Sequence, residues 1–124
     1  VFHDLINSDE TLSLVVSEVG EDIELKELGS AEAVGARLMQ EVIAPEGAGR
    51  EVDLVDAKER KDSDHTFYDL EYTVHLQDRD RHEVATVVVD RGYLYTLAAS
   101  TNESRWLKVQ KIFERAITSF TFLI

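Results

Sequence analysis

The sequence predicts an α+β fold, an antiparallel β-sheet covered by helices, and three observations lead there. Apolar and polar residues alternate over 66–76, and two more apolar runs follow at short spacing, which describes consecutive antiparallel strands. Ala31, Val34, Leu38 and Val42 recur at three- and four-residue intervals, an early amphipathic helix. Trp106, Val109, Phe113, Ala116, Ile117 and Phe120 do the same near the end, a late one. Strands grouped between an early and a late helix give a sheet layered against helices. A chain of 124 residues makes this a single domain, 1–124, with one ordinary core.

The elements follow in order. Leu12, Leu14 and Val16 alternate with Ser13, Val15 and Ser17, which predicts a strand buried mainly on one face. Ser30 offers a helix N-cap oxygen, and Glu32 places a negative charge in the first turn, where the helix dipole favours it. The helix should stop before Pro45, with Gly47 and Gly49 forming a loop. Residues 52–60 read as a weaker strand and 61–64 as a polar turn. In 66–76, Tyr68, Leu70, Tyr72, Val74 and Leu76 point one way; Asp69, Glu71, Thr73 and His75 point the other, so one face is core and the other wet. A turn at 77–81 leads to a strand over 84–89, and Arg91-Gly92 turns the chain into a strand over 93–99. The second helix runs from about Asn102 to Ser119 and passes into an aromatic strand at Ser119-Phe120-Thr121-Phe122.

Composition excludes several classes of function. The longest apolar runs are three residues, so no segment of this sequence reads as a membrane-spanning helix. With no cysteine there is no disulfide framework, thiolate nucleophile or cysteine-based zinc site. The formal net charge is −12, and residues 1–62 carry 16 acidic against 6 basic side chains, a field that repels nucleic acid and anionic headgroups. Nucleic acid is therefore not an expected partner.

Candidate chemistry is sparse. The histidines are His3, His65, His75 and His82. His75 and His82 flank one hairpin turn and are the candidate metal ligands, with Glu83, Asp78 or Asp80 completing a site for zinc, calcium or manganese. The competing expectation is solvated surface histidines with no required cofactor, since strand parity could send the two rings to opposite faces. The acidic groups Asp9-Glu10, Glu18 with Glu21-Asp22-Glu24, and Asp62 with Asp64 lack the spacing and central glycine of a calcium loop and read as solvated turns. Arg79, Arg81 and Arg91 are the densest basic group and the candidate protein-binding residues, either docking on partner carboxylates or pairing internally with Asp78, Asp80 and Asp90. Ser63-Asp64-His65 has the letters of a catalytic triad, but neighbours on a turn cannot face one another as nucleophile and base must. No catalytic residue is predicted.

One stretch carries more information than the rest. Arg81-His82 opens a strand that runs to Val89, Asp90-Arg91-Gly92 turns it, Tyr95-Thr96-Leu97 lies in the next strand, Glu103-x-x-Trp106 enters the helix and Ser119-Phe120 closes it. This order resembles the PsbP family of thylakoid-lumen proteins. Phe2-His3-Asp4-Leu5-Ile6, Leu12 to Ser17, Leu28 to Val34 and Phe67 to Tyr72 extend the resemblance in the expected order. It implies a PsbP-like α-β-α sandwich, and a chain lacking the opening part of the family domain, an aromatic strand and a Tyr-Pro-x-x-Trp turn. It also implies a non-enzymatic accessory protein peripheral to the thylakoid membrane. The implied client is the lumenal side of photosystem II, in assembly, repair or stability of the oxygen-evolving complex, a setting in which calcium binding is expected. Photosystem I or the NADH dehydrogenase-like complex is the alternative client. A small-ligand or metal carrier and a hydrolase are rivals of other classes; each requires a converging pocket or a paired nucleophile and base.

Overall fold

The computed structural model describes residues 10–40, 49–62 and 64–119. Within them the chain forms β1 (Thr11–Glu18), a 3-10 turn (Leu25–Leu28), α1 (Ala31–Leu38), β2 (Glu51–Asp62), β3 (His65–His75), β4 (Asp80–Asp90) and β5 (Tyr93–Asn102). A second 3-10 turn (Glu103–Arg105) then leads into α2 (Trp106–Ser119). The five strands make one antiparallel sheet in the order β1-β5-β4-β3-β2. The chain thus returns from β5 to pair with its first strand. Val42, Pro45, Gly47, the segment 2–6 and the aromatic segment 120–122 fall outside the described residues.

Local signals in the sequence account for the turns. Ser30 Oγ accepts the Ala33 N–H at 3.2 Å and starts α1 as an N-cap should. Between β4 and β5, Arg91 and Gly92 both take positive φ, 51° and 87°, as a type I′ hairpin requires of its two central residues. The Gly92 carbonyl accepts the Val19 N–H at 2.9 Å, and a Cβ on Gly92 would stand 3.3 Å from the Glu21 backbone. This turn therefore also anchors the chain leaving β1.

The sheet is covered on both faces, and this departs from the expectation of one wet face on β3. Tyr68, Leu70, Tyr72 and Val74 do point together, and with Ala85, Val87 and α1 residues such as Val34 they form one core cluster. Phe67, on the opposite face, is fully buried with Val84, Val88, Leu97, Ala99 and the α2 residues Trp106, Val109, Phe113 and Ile117 in a second cluster. Hence α1 and α2 lie on opposite faces of the sheet, and β3 and β4 bury side chains at successive positions. The alternating sequence signalled polarity on the second face but not the helix above it. On the first face α1 comes close: a Cβ on Gly35 would meet Leu70 at 3.1 Å and Leu54 at 3.3 Å.

The two edges differ. Residues of β1 are exposed on both faces, with Leu14, Val15 and Val16 at 50–51% and Leu12 at 40%, so the expected buried face of this strand is not formed. Leu12, Leu14 and Val16 stand on the α2 side, through their register with Ala99, Leu97 and Tyr95, but α2 packs over β4 and β5. On the other edge, β2 carries Glu51, Asp53, Asp56, Lys58, Glu59, Arg60, Lys61 and Asp62, and its register slips at a bulge between Leu54 and Asp56. Charges and bulges are devices that protect an edge strand; β1 has a single charge, Glu18.

Trp106 is a core residue, 6% exposed, stacked on His82 at 4.0 Å between ring centroids and edge-on to Phe113 at 6.3 Å. Trp106→Ala is expected to cost about 3 to 5 kcal/mol, as removal of a large buried aromatic does. Equilibrium urea unfolding measures it, and unchanged stability with lost partner binding would instead make Trp106 a docking residue.

Candidate functional site

The chemistry-bearing side chains gather on the α2 face of the sheet. Odd-numbered positions of β3 and even-numbered positions of β4 point there, so Asp69, Glu71, His75, Asp80, His82, Thr86 and Asp90 share one face with His65. The burial of that face obliges each polar group to find a partner. Arg60, reaching across from β2, donates from Nε to Asp69 Oδ2 at 2.7 Å and lies 4.4 Å over the Phe67 ring. Thr86 Oγ1 donates to Asp69 Oδ1 at 2.8 Å. At the far end of β4, His65 Nε2 meets Asp90 Oδ1 at 3.0 Å.

His82 is the centre of the seam. It is 5% exposed, with Nε2 2.7 Å from Glu71 Oε2 and Nδ1 2.7 Å from Glu103 Oε2. Two carboxylate acceptors, one at each nitrogen, are both satisfied when the ring carries both protons. The Trp106 ring covers its face at an interplanar angle of 17°. One histidine thereby ties β3, β4, the 3-10 turn and α2 together. Next to it Glu10, also buried, accepts Thr101 Oγ1 at 3.0 Å and Arg105 Nε at 2.7 Å. The expectation of a solvated turn is corrected at Glu10: burial beside a guanidinium and a hydroxyl replaces water. Glu18, Glu21, Asp22, Glu24, Asp62 and Asp64 are exposed as expected.

His75 and His82 do share a face, because Thr73 is opposite His82 and His75 opposite Asp80. They are separately engaged: His75 Nδ1 meets Asp80 Oδ1 at 2.9 Å and Nε2 meets Asp53 Oδ2 at 2.8 Å. Among the described residues no group of three or more His, Asp or Glu side chains is arranged to hold a metal ion. A metal on either ring would have to displace a carboxylate. Hydrogen bonds donated to Asp80 and then to Asp53 raise the His75 pKa above its ordinary 6.5.

The arginines do not form one patch. Arg79 lies exposed in the β3–β4 turn and Arg91 exposed in the β4–β5 turn, at opposite ends of the 11-residue β4. Arg81 is buried on the α1 face, where Nε and Nη2 donate to Ser100 Oγ at 3.0 and 2.8 Å and Nη1 donates to Asn102 Oδ1 at 3.0 Å. Of the internal partners expected for the arginines, Asp80 and Asp90 bond histidines instead. The sequence did hold a signal for Arg81, since it shares parity with Ala85 and Val87.

For catalysis, His65, His75 and His82 bond carboxylates, and among the described residues none bonds a serine or threonine hydroxyl. A cleft of about 250 Å³ beside α2 is lined by Asp56, Asp69, Glu71 and Glu114 with Lys58 and Thr118, an acidic surface whose hydroxyl, Thr118 Oγ1, donates to the Glu114 carbonyl at 2.8 Å and not to a histidine. The side chains of the seam are charge-paired to one another. Their evident work is to fix α2 on the sheet.

The model of the PsbP family matches residues 1–122. This chain belongs to the PsbP family. It is 43% identical over 126 residues to CyanoP of Thermosynechococcus vestitus, covering 98% of this chain and 69% of that protein. It is 40% identical to CyanoP of Synechocystis sp. over 97% of this chain and 64% of that one. PsbP-like protein 1, chloroplastic, of Arabidopsis thaliana is 29% identical over the full chain and 53% of its own length. The solution structure of cyanobacterial PsbP (CyanoP) from Synechocystis sp. superposes with a TM-score of 0.79 at 38% identity, covering 93% of this chain and 68% of that one. The chain thus spans about two thirds of the length of the CyanoP proteins it matches. The PsbP-like residues acquire a physical meaning here: His82 of Arg81-His82 is clasped by the carboxylate of Glu103 and the ring of Trp106, the two ends of Glu103-x-x-Trp106.

Two outcomes are expected of the histidines. Because its folded pKa is raised, His75 contributes stability that is full below about pH 6.5 and is lost as pH rises through the raised value. An NMR titration should place the His75 ring above 6.5, and His75→Asn should remove that part of the pH dependence of unfolding; a ring titrating below 6.5 refutes it. Chelation with EDTA should leave the melting temperature unchanged, because charge pairs within the protein already fill these positions. A large loss of stability in EDTA, abolished equally by His75→Ala or His82→Ala, would instead reveal a structural metal.

Proposed function

We propose that this PsbP-family chain is a non-catalytic accessory protein of photosystem II, docked on the lumenal side of the thylakoid membrane and assisting assembly, repair or stability of the oxygen-evolving complex. The observation that carries the proposal is 40–43% identity to two CyanoP proteins over nearly the whole chain. The site supports it from another side: the titratable groups of the α2 face are consumed in internal pairs, so what the molecule offers a partner is its surface. No helix among the described residues is long and apolar enough to cross a membrane, which fits peripheral attachment.

Some surface features bear on how it would attach. A net charge of −12 must be matched by basic groups on the client or met at a local cationic site of this chain. Either way the association is electrostatic in part.

The experiment is a pull-down with the tagged chain from detergent-solubilised thylakoids, with the partners identified. Photosystem II subunits are expected, in amounts that fall as salt rises past about 0.1 M, where the screening length is about 10 Å. Recovery of photosystem I or the NADH dehydrogenase-like complex alone would keep the accessory role and replace the client. Turnover of a small substrate, or no thylakoid complex even at low salt, refutes the proposal.

A further inference from the structure

One place on this acidic protein collects three arginines that form no ion pair with a described carboxylate. On the α1 face, toward the β3–β4 turn, an open cleft of about 350 Å³ crosses β1, β5, β4 and β3. Arg50, Arg79 and Arg81 line it together with Glu83, over an apolar floor that includes Val74 and Leu76. None of the three arginines forms an ion pair with a described carboxylate, although the chain has 25 acidic residues. Arg50 and Arg79 are exposed. Arg81 is 8% exposed, and its acceptors are the neutral oxygens of Ser100 and Asn102. Those bonds use three of its five N–H donors.

A buried guanidinium held only by neutral oxygens bears a desolvation cost that an anion would offset. Glu83 lines the same cleft but does not fill that role, because its carboxylate forms no ion pair with any of the three arginines. Arginine's planar fork matches a carboxylate in two parallel bonds. Glu83 on the rim and the charge of −12 disfavour a polyanion or an anionic bilayer, and a flat surface could not reach Arg81. A single carboxylate on a flexible chain meets neither obstacle. From β1 to β3 the cleft spans three strand spacings, about 14 Å, the reach of about four extended residues.

We infer that the cleft formed by Arg50, Arg79 and Arg81 receives an acidic, extended peptide segment of a partner protein, with a carboxylate on the arginines and an apolar neighbour over Val74 and Leu76. This rests on the docking role proposed above and assigns it a face. Arg91 is not part of that face, since the length of β4, about 34 Å, separates it from Arg79.

The test uses the isotopically labelled chain and an end-blocked peptide of alternating Glu and Leu. Saturable NMR shifts are expected at Thr11, Ser13, Ala98 and Ser100, which line the same cleft. Arg50→Glu and Arg79→Glu, both on exposed side chains, should each weaken binding about tenfold, while Arg91→Glu leaves it unchanged. Arg81→Gln should abolish binding; if it unfolds the chain, the two exposed variants decide the question. The inference is overturned by no saturable shift at millimolar peptide, by an equal effect of Arg91→Glu, or by equal binding of a Gln-Leu peptide. Equal binding of inorganic phosphate or of anionic phospholipid vesicles at the same amides overturns it too. If wild-type chain and the Arg50→Glu/Arg79→Glu variant recover a thylakoid complex equally, the cleft assignment fails and docking stands. If the peptide binds but no complex is recovered, the cleft stands and the client is wrong.

Discussion

Burial of both faces of β3 and β4 is the constraint on which the rest of this structure depends. A strand in a sheet covered on one side can alternate apolar and polar residues and leave the polar ones to water. Here α2 covers the second face, so polar residues at alternate positions must be paired or removed. They are paired, and with groups from other elements: Asp69 with Arg60 of β2, Glu71 with His82 of β4, His82 with Glu103 before α2. Losing one partner would leave a charge stranded at low dielectric, which costs more than the pair contributes. This fixes the register of three strands and the seat of one helix at once.

The same constraint explains which parts of the fold were legible in the sequence. Hairpins and helices were readable because their signals are local: Ser30 before α1, Arg91-Gly92 between β4 and β5, the period of Trp106, Val109 and Phe113. What could not be read was which helix stands over which face. Asp69 and Glu71 looked wet because the cover comes from about forty residues further on, whereas His75, at the open end of the strand, is wet. Leu12, Leu14 and Val16 looked buried because alternation records a pattern and not whether anything lies opposite. Within the site, Glu10 and Arg81 were misjudged by residue type, which is a weaker guide than parity once neighbours such as Ala85 and Val87 are known to face a core.

Family resemblance and physical reading meet at one point. Residues that mark this chain as PsbP-like, His82, Glu103 and Trp106, are in mutual contact and build a joint between sheet and helix. They give the chain its shape, and a fold stabilised this way can keep its joint while its outer residues change.

The contrast between the sheet's edges bears on colloidal behaviour. Among the described residues no strand pairs with the outer side of β1, which stands beside exposed Leu12, Leu14, Val15 and Val16 as a template for edge-to-edge growth, whereas the charged and bulged β2 blocks the same event on the other side. What holds two such molecules apart is their common negative charge, −12 at neutral pH. That repulsion fades as carboxylates protonate and as salt shortens its range. With one adhesive edge and one inert edge, growth through β1 ends at a pair, so acid or concentrated salt would drive this chain to a two-fold dimer and not to a fibre.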